Sequence, residues 1–363
     1  MRPGIFMKDR RASVINRIAG WENANRLLDK AINEGTLPGA TAAAGVGGEV
    51  LWRYVGGQAQ VLGGPPRAMR EDTWFDLASL TKVMATLPSL LVLASQGELS
   101  FGDSVRRFFP AWEARWDRVM LRHLLTHSGG LVPHRDYYQS IQGIDAYLAA
   151  ISVEPWDAEP GRQVSYSDLG FITLGAVVER VSGLSLDRFA EEAVFEPLGI
   201  QEVRFRPDAS MALNCAATEL ENGTAILGVV HDENARAIGG VAGHAGLFGT
   251  LDAVSRYAIS WSQDAYSLFS SAVREKALSL HTEGLNGRRG LGWVLLGDGY
   301  DVGGDFWPAT GGGHTGFTGT SLQFDPKSGI WAVLLTNRVH FGRGTNINSL
   351  RRAFHNIVME ILG

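Results

Sequence analysis

A single cysteine, Cys215, stands among 363 residues, which excludes an internal disulfide and any multi-cysteine metal cluster and suits a reducing compartment. Basic runs are missing as well. The 33 Lys and Arg against 38 Asp and Glu leave a formal net charge of -5, so the electrostatic footprint of a nucleic-acid or anionic-lipid binder is absent, and neither is expected as a partner. The opening MRPGIFMKDRRASVINRIAG is charged but lacks the apolar core of a secretory signal, so a cytoplasmic location is expected unless a leader was removed. No G-x-S-x-G occurs, which removes the usual elbow of an α/β-hydrolase. GGGHTG formally fits G-x-G-x-x-G, but strand-like residues follow it, so the dinucleotide reading fails on context. Repeats, low-complexity tracts and free linkers are absent too.

The 45% hydrophobic composition suffices for a large core, in one domain or two closely packed lobes. Apolar spacing over 11–34 (Val14, Ile18, Trp21, Leu27, Leu28, Ile32) predicts an amphipathic helix ending at Gly35. GATAAAGVGGEVLWRYVGGQAQ, from Gly39, reads as a hairpin with a Gly-Gly turn. The middle, about 98–249, is expected to be a mainly helical lobe, with clear helices near 168–182 and 185–194. Late in the chain GLGWVLL, FTGTSLQFD and IWAVLLTN read as three strands, and 345–362 has helical periodicity. The expected fold is α+β: an antiparallel β-sheet flanked by N- and C-terminal helices (about 11–97 and 250–363), joined to the helical lobe.

The stretch FDLASLTKVMATLPSLLVLASQGELS sets Ser79 and Lys82 three residues apart at the mouth of a segment apolar on all sides. Such a segment is a buried helix, too short for a bilayer span, and Pro88 is expected to kink it. Positions i and i+3 on a helix are neighbours about 5–6 Å apart, so Lys82 reaches the Ser79 hydroxyl. A serine hydroxyl is a weak nucleophile, and an amine accepts its proton only when uncharged. Burial supplies that condition by disfavouring the ammonium form, so a neutral Lys82 is expected. Backbone N–H groups at a helix start favour developing negative charge. The bland alternative is that Ser79 caps the helix while Lys82 snorkels to solvent.

Two further stretches bear on that choice. VSYSDLGF places Tyr166 two residues before Asp168, just ahead of a helix, and GGGHTGFTGTSLQFD puts His314-Thr315-Gly316 at a strand entry. Alone, the first reads as a helix cap beside a packed aromatic and the second as a Gly-rich strand start. In this order Ser-x-x-Lys, Tyr-x-Asp and His-Thr-Gly resemble the active-site triplet of the penicillin-recognising serine hydrolases, the family of class C β-lactamases, D-alanyl-D-alanine peptidases and related esterases. The resemblance runs from FDLASLTK through LRHLLTHSGGL and YSDLGFITLGAVVERVSG to HTGFTGTSLQFDPKSGIWAVLLTNR. It implies the β-lactamase/transpeptidase-like fold with the site between the lobes. It also implies Ser79 as acylated nucleophile, Lys82 and Tyr166 sharing the acid and base work, and an oxyanion hole from the backbone N–H groups of Ser79 and Phe317. No cofactor is implied, and the partner is a small-molecule or peptide substrate.

Two departures stand out. Asp168 replaces the asparagine usual in the lactamase and peptidase members, bringing charge that either holds Lys82 or repels an anionic substrate. His314, expected to be partly charged near neutral pH, replaces a frequent lysine. Potent β-lactam turnover is therefore not expected. GVVHDENARAIGGVAGHAGLFGT resembles a segment of penicillin-binding-protein-like hydrolases of the N-acetylmuramyl-L-alanine amidase type, which points to an ester or amide bond in a muramyl peptide. His231, Asp232 and His244 in it either line the pocket or belong to buried helix–loop packing with hydrogen-bonded histidines. A metal site from these, or from His123 and His127, is disfavoured, since no zincin helix or cysteine set accompanies them. The competing reading is a sensor that acylates, or binds wall peptides, without efficient turnover.

Overall fold

The structure, a computed structural model, describes residues 20–363. Its frame follows from alternation in strands that are buried on both faces. Ala40, Ala42 and Ala44 pack in one apolar cluster with Ile330, Ala332 and Leu334, whereas Ala43, Trp331, Val333 and Leu335 turn the other way into the larger core. That is the period of two expected of a central strand. Six strands form one sheet: β1 (Gly39–Val46), β2 (Glu49–Gln60), β3 (Arg67–Ala68), β4 (Gly312–Thr315), β5 (Ser321–Phe324) and β6 (Ile330–Thr336). Their order is β3-β2-β1-β6-β5-β4, with every pairing antiparallel and Ala42 opposite both Tyr54 and Leu334.

Helix 20–33 and helix Asn348–Leu362 cover one face through Ala24, Leu28, Phe354 and Val358. Helix Leu251–Ser262 lies against the other with Tyr257 and Trp261. The first helix ends before Gly35 as expected, while the part of that expectation on 11–19, with Val14 and Ile18, lies outside the described residues. The hairpin turns at Gly47-Gly48, helix Asp168–Ser182 and the Leu186–Phe195 segment fall where the spacing put them, and Asn348–Leu362 matches the expected last helix.

GLGWVLL is a correction. Only Val294 bridges to Arg289 and Gly313, because the Gly290 N–H turns back to the Trp293 carbonyl at 3.0 Å and Gly292 adopts φ +74° to bond Leu125. Two glycines make this a turn around a buried Trp293. A second small sheet went unread: Phe75–Asp76 and Val203–Phe205 flank Leu247–Gly249, in strands too short to show a period. It holds the chain just ahead of Ser79.

The apolar segment after Ser79 is helical and buried, with its first turn widened. The Leu87 N–H bonds the Lys82 carbonyl five residues back across Lys82–Thr86, and a regular helix runs on over Leu87–Ser95. Pro88, which has no N–H to offer the Met84 carbonyl, sits one residue past the wide turn, so the disturbance expected as a kink is taken up there. Among the described residues no single helix is long and apolar enough to cross a membrane.

Candidate active site

Ser79 leaves the small sheet through Ala78, whose φ of +46° lies in the left-handed region. For a residue with a Cβ this costs on the order of 1–2 kcal/mol. Asp76 holds the bend: one carboxylate oxygen accepts the Ala78 N–H at 2.8 Å and the other the His231 N–H at 2.6 Å. The Thr318 and Thr320 hydroxyls fasten the same loop by donating to the Asp76 and Leu77 carbonyls. A wide helical turn and a strained residue thus bracket the serine.

Lys82 has no exposed surface, and its ammonium donates to three acceptors: Ser79 Oγ at 3.0 Å, Asp168 Oδ1 at 2.8 Å and the His244 carbonyl at 3.0 Å. Burial pulls its pKa down, but the Asp168 carboxylate, then Tyr166, pull it up further, and the balance lies above the ordinary lysine value. The expected neutral amine is therefore corrected. Burial alone would have discharged Lys82, but Asp168 retains the proton.

Asp168 opens helix Asp168–Ser182, with its N–H on the Pro133 carbonyl. Burial raises its pKa, yet Lys82, His134 and His244 overcome this and hold it well below the usual carboxylate range. Tyr166 lies with its ring centroid 5.0 Å from Lys82 Nζ, against the rings of His127 (4.3 Å) and Tyr300 (5.3 Å). Burial raises the Tyr166 phenol above its ordinary value, with Lys82 opposing, so it rests protonated. The resting centre is therefore an ammonium, a carboxylate, a phenol and a serine hydroxyl.

Edge strand β4 brings His314 and Thr315 alongside. His314 is buried with Nδ1–H on the Thr315 carbonyl at 2.9 Å, and burial, then Lys82 and Arg289, push its pKa down to about 3. The partly charged histidine expected from sequence is thus neutral. At Gly316 a Cβ would stand 2.1 Å from Thr320 Oγ1 and 2.4 Å from the Leu77 carbonyl, so only glycine lets this turn approach the Ser79 loop. The N–H groups of Ser79 and Phe317 have no acceptor among the described residues, which leaves both free for an incoming oxygen.

These groups line a cleft of about 430 Å³ with Ser79, Tyr166, His314, Thr315, Gly316 and Phe317 on one side. Arg338, Arg343 and Arg351 line it too, and among the described residues no Asp or Glu does. Arg343 pairs with Glu219 and Glu233, but among the described residues neither Arg338 nor Arg351 has a carboxylate partner. The Arg351 guanidinium donates to the Gly316 and Thr320 carbonyls at 3.0 and 2.8 Å and to Asn348 Oδ1 at 3.0 Å, and its Nε is buried without a partner among the described residues. Burial, then Arg338, push its pKa down to about 9.

Lys82, Asp168, His231 and His244 are not among the residues that line the cleft. His231 bonds Glu219 and stacks on Phe317, while His244 bonds Asp232, which caps helix Glu233–Ile238. His123 accepts the Met120 N–H and His127 the Ser167 N–H. No group of three or more candidate metal ligands occurs among the described residues. Sequence reasoning missed Asp76, although it stands three residues before Ser79 in FDLASLTK, and it missed His134, Tyr300 and the arginines, whose neighbours in the chain carry no motif. A lone histidine in LVPHRDYY gives no hint that it faces Asp168.

Residues 24–356 match the family model described as Beta-lactamase. Among curated relatives, the N-acetylmuramyl-L-alanine amidase of Bacillus subtilis (strain 168) is 27% identical over 87% of this chain and 80% of its own. An Escherichia coli (strain K12) protein with the provisional name D-alanyl-D-alanine carboxypeptidase is 29% identical over 80% of this chain and 76% of its own. The fold matches EstCE1, a hydrolase with promiscuous acyltransferase activity, at a TM-score of 0.76 (23% identity, 95% of this chain, 100% of that one). It matches a class C beta-lactamase at 0.77 (18% identity, 96% and 98%).

Proposed function

Because this chain belongs to the β-lactamase family and is a serine hydrolase of that fold, we propose that it is acylated at Ser79 and hydrolyses an ester or amide bond in an anionic, cell-wall-derived muramyl peptide. The observation that carries this reading is the Ser79–Lys82 contact of 3.0 Å beside a cleft where, among the described residues, Arg338 and Arg351 have no carboxylate partner. A free carboxylate suits such a wall. Once Lys82 has lost its proton to solvent, its amine takes the proton of Ser79 as Oγ bonds the carbonyl carbon and the carbonyl π electrons move onto its oxygen. The Ser79 and Phe317 N–H groups receive the oxyanion; as it collapses and the bond to the departing nitrogen or oxygen breaks, Tyr166 passes that atom a proton and regains one from the Lys82 ammonium. Water then cleaves the acyl-enzyme and restores the serine. The relatives' names, amidase and carboxypeptidase, favour a wall-derived substrate.

One observation favours a second reading, a sensor that acylates without efficient turnover: Asp168 retains the proton that Lys82 must lose. Time courses with a nitrophenyl ester and with muramyl peptides separate the two. Repeated turnover with release of the peptide from the muramyl group supports the hydrolase, whereas a burst of one equivalent supports the sensor. No reaction with any muramyl peptide, alongside ester turnover, contradicts the substrate assignment.

A further inference from the structure

We infer that His134 is a positioning residue that competes with Lys82 for Asp168 and thereby sets the pH dependence of Ser79 acylation; this rests on the reading that Lys82 serves Ser79. Asp168 divides its oxygens: Oδ1 accepts from Lys82 at 2.8 Å, while Oδ2 stands 3.6 Å from His134 Nδ1. The loop that carries His134 is tied to the Tyr166–Asp168 segment on its buried side. The Asp168 N–H bonds the Pro133 carbonyl at 3.0 Å and the Ser167 hydroxyl bonds the Val132 carbonyl at 2.7 Å, so the imidazole is held opposite the carboxylate.

The His134 side chain is 45% exposed and titrates in contact with solvent, whereas Lys82 has no exposed surface. Asp168, Asp136 (3.2 Å from Nε2) and, farther off, Asp232 face it, with Arg135 as a neighbouring cation whose guanidinium donates to the His134 carbonyl at 3.4 Å; its pKa lies above the ordinary histidine value, first because of the Asp168 contact. Asp168 in turn faces Lys82, His134, His244 and the Tyr166 phenol. Two cations thus share one carboxylate, and a proton on either weakens the hold on the other.

The sign follows. Below the pKa of His134 the imidazolium takes part of the Asp168 charge, and Lys82 gives up its proton more readily. As pH rises through that pKa the imidazolium is lost, Asp168 acts on Lys82 alone, and Lys82 holds its proton more tightly. The rising limb of acylation against pH therefore flattens near the pKa of His134 before climbing again.

The test compares acylation by a fluorophosphonate, followed by intact mass from pH 5 to 10, in wild type and His134→Gln, with the His134 Cε1–H titration read by NMR in wild type and Asp168→Asn. His134→Gln is expected to give an unbroken limb, about two- to fivefold slower than wild type on the acidic side, the range of a half-exposed ion pair, and to meet wild type on the basic side. The His134 pKa is expected to fall in Asp168→Asn. Label at Ser79 with superimposable limbs, or an unmoved His134 titration, overturns the inference alone. Label on another residue overturns the reading beneath it as well.

Discussion

Asp168→Asn tests the electrostatics of the site most sharply, because it removes the charge that retains the Lys82 proton while keeping an acceptor oxygen of nearly the same shape. Among the described residues Asp168 is the only carboxylate paired with Lys82, and Lys82 has no exposed surface. Breaking a buried pair costs about 3–5 kcal/mol when the remaining partner stays charged. A lysine has a way out, since it can deprotonate. At 1.36 kcal/mol per decade that cost corresponds to a roughly hundred- to several-thousandfold loss of proton affinity.

In wild type the Lys82 pKa lies above its unfolded value, so its contribution to stability is complete below about pH 10 and is lost only above that. Asp168, with its pKa lowered, contributes above its unfolded value and loses that contribution as pH falls below about 4. Between these limits the pair makes stability nearly independent of pH. In Asp168→Asn burial leaves the folded Lys82 pKa below the unfolded one, so stability should climb with pH from about 7 to about 10. The rising limb of acylation should move to lower pH, with at least a tenfold faster rate at pH 7. Melting temperature and ester acylation measured across pH 5–10 give both curves. Coincident acylation limbs in the two proteins would refute the claim that Asp168 sets the proton on Lys82.

Lys82→Arg should abolish acylation while preserving charge, since guanidinium cannot accept the serine proton; a wild-type rate in the acylation assay rules out Lys82 as base. Lys82→Met should lower stability by about 3 kcal/mol, the lower end for a broken buried pair because Asp168 keeps His134 and is 18% exposed, and adding Asp168→Asn should recover part of it in urea unfolding. Arg351→Met should raise KM for a carboxylate-bearing muramyl peptide roughly tenfold or more while moving a neutral nitrophenyl ester little, since charge-assisted hydrogen bonds contribute about 1.5–3 kcal/mol; equal effects on both would assign Arg351 a structural role.

The strands buried on both faces and the terminal helices were legible because their apolar periods extend over many residues, as in IWAVLLT and around Ala40–Ala44. GLGWVLL misled because its composition is strand-like while Gly290 and Gly292 fix a turn. The small sheet beneath Ser79 has strands of two or three residues, shorter than a pattern. At the site the residue types and order sufficed to bring Ser79, Lys82, Tyr166, His314 and Gly316 together on paper. The charge state of Lys82 did not follow, because it depends on a contact with Asp168 across 86 residues, and local burial argued the opposite way. Arg338 and Arg351 were hidden for a related reason: a cationic cleft is made by folding the segment after β6 and the last helix over the Gly316 turn, and nothing in RVHFGRG or NSLRRAFHN announces it.

The central claim is that Ser79 is the acylated nucleophile. Intact mass after exposure to a fluorophosphonate, followed by peptide mapping, tests it most directly in wild type beside Ser79→Ala. The account predicts one adduct, mapped to Ser79, and none in Ser79→Ala at unchanged melting temperature. An adduct on another residue, or equal labelling of both proteins, would contradict it.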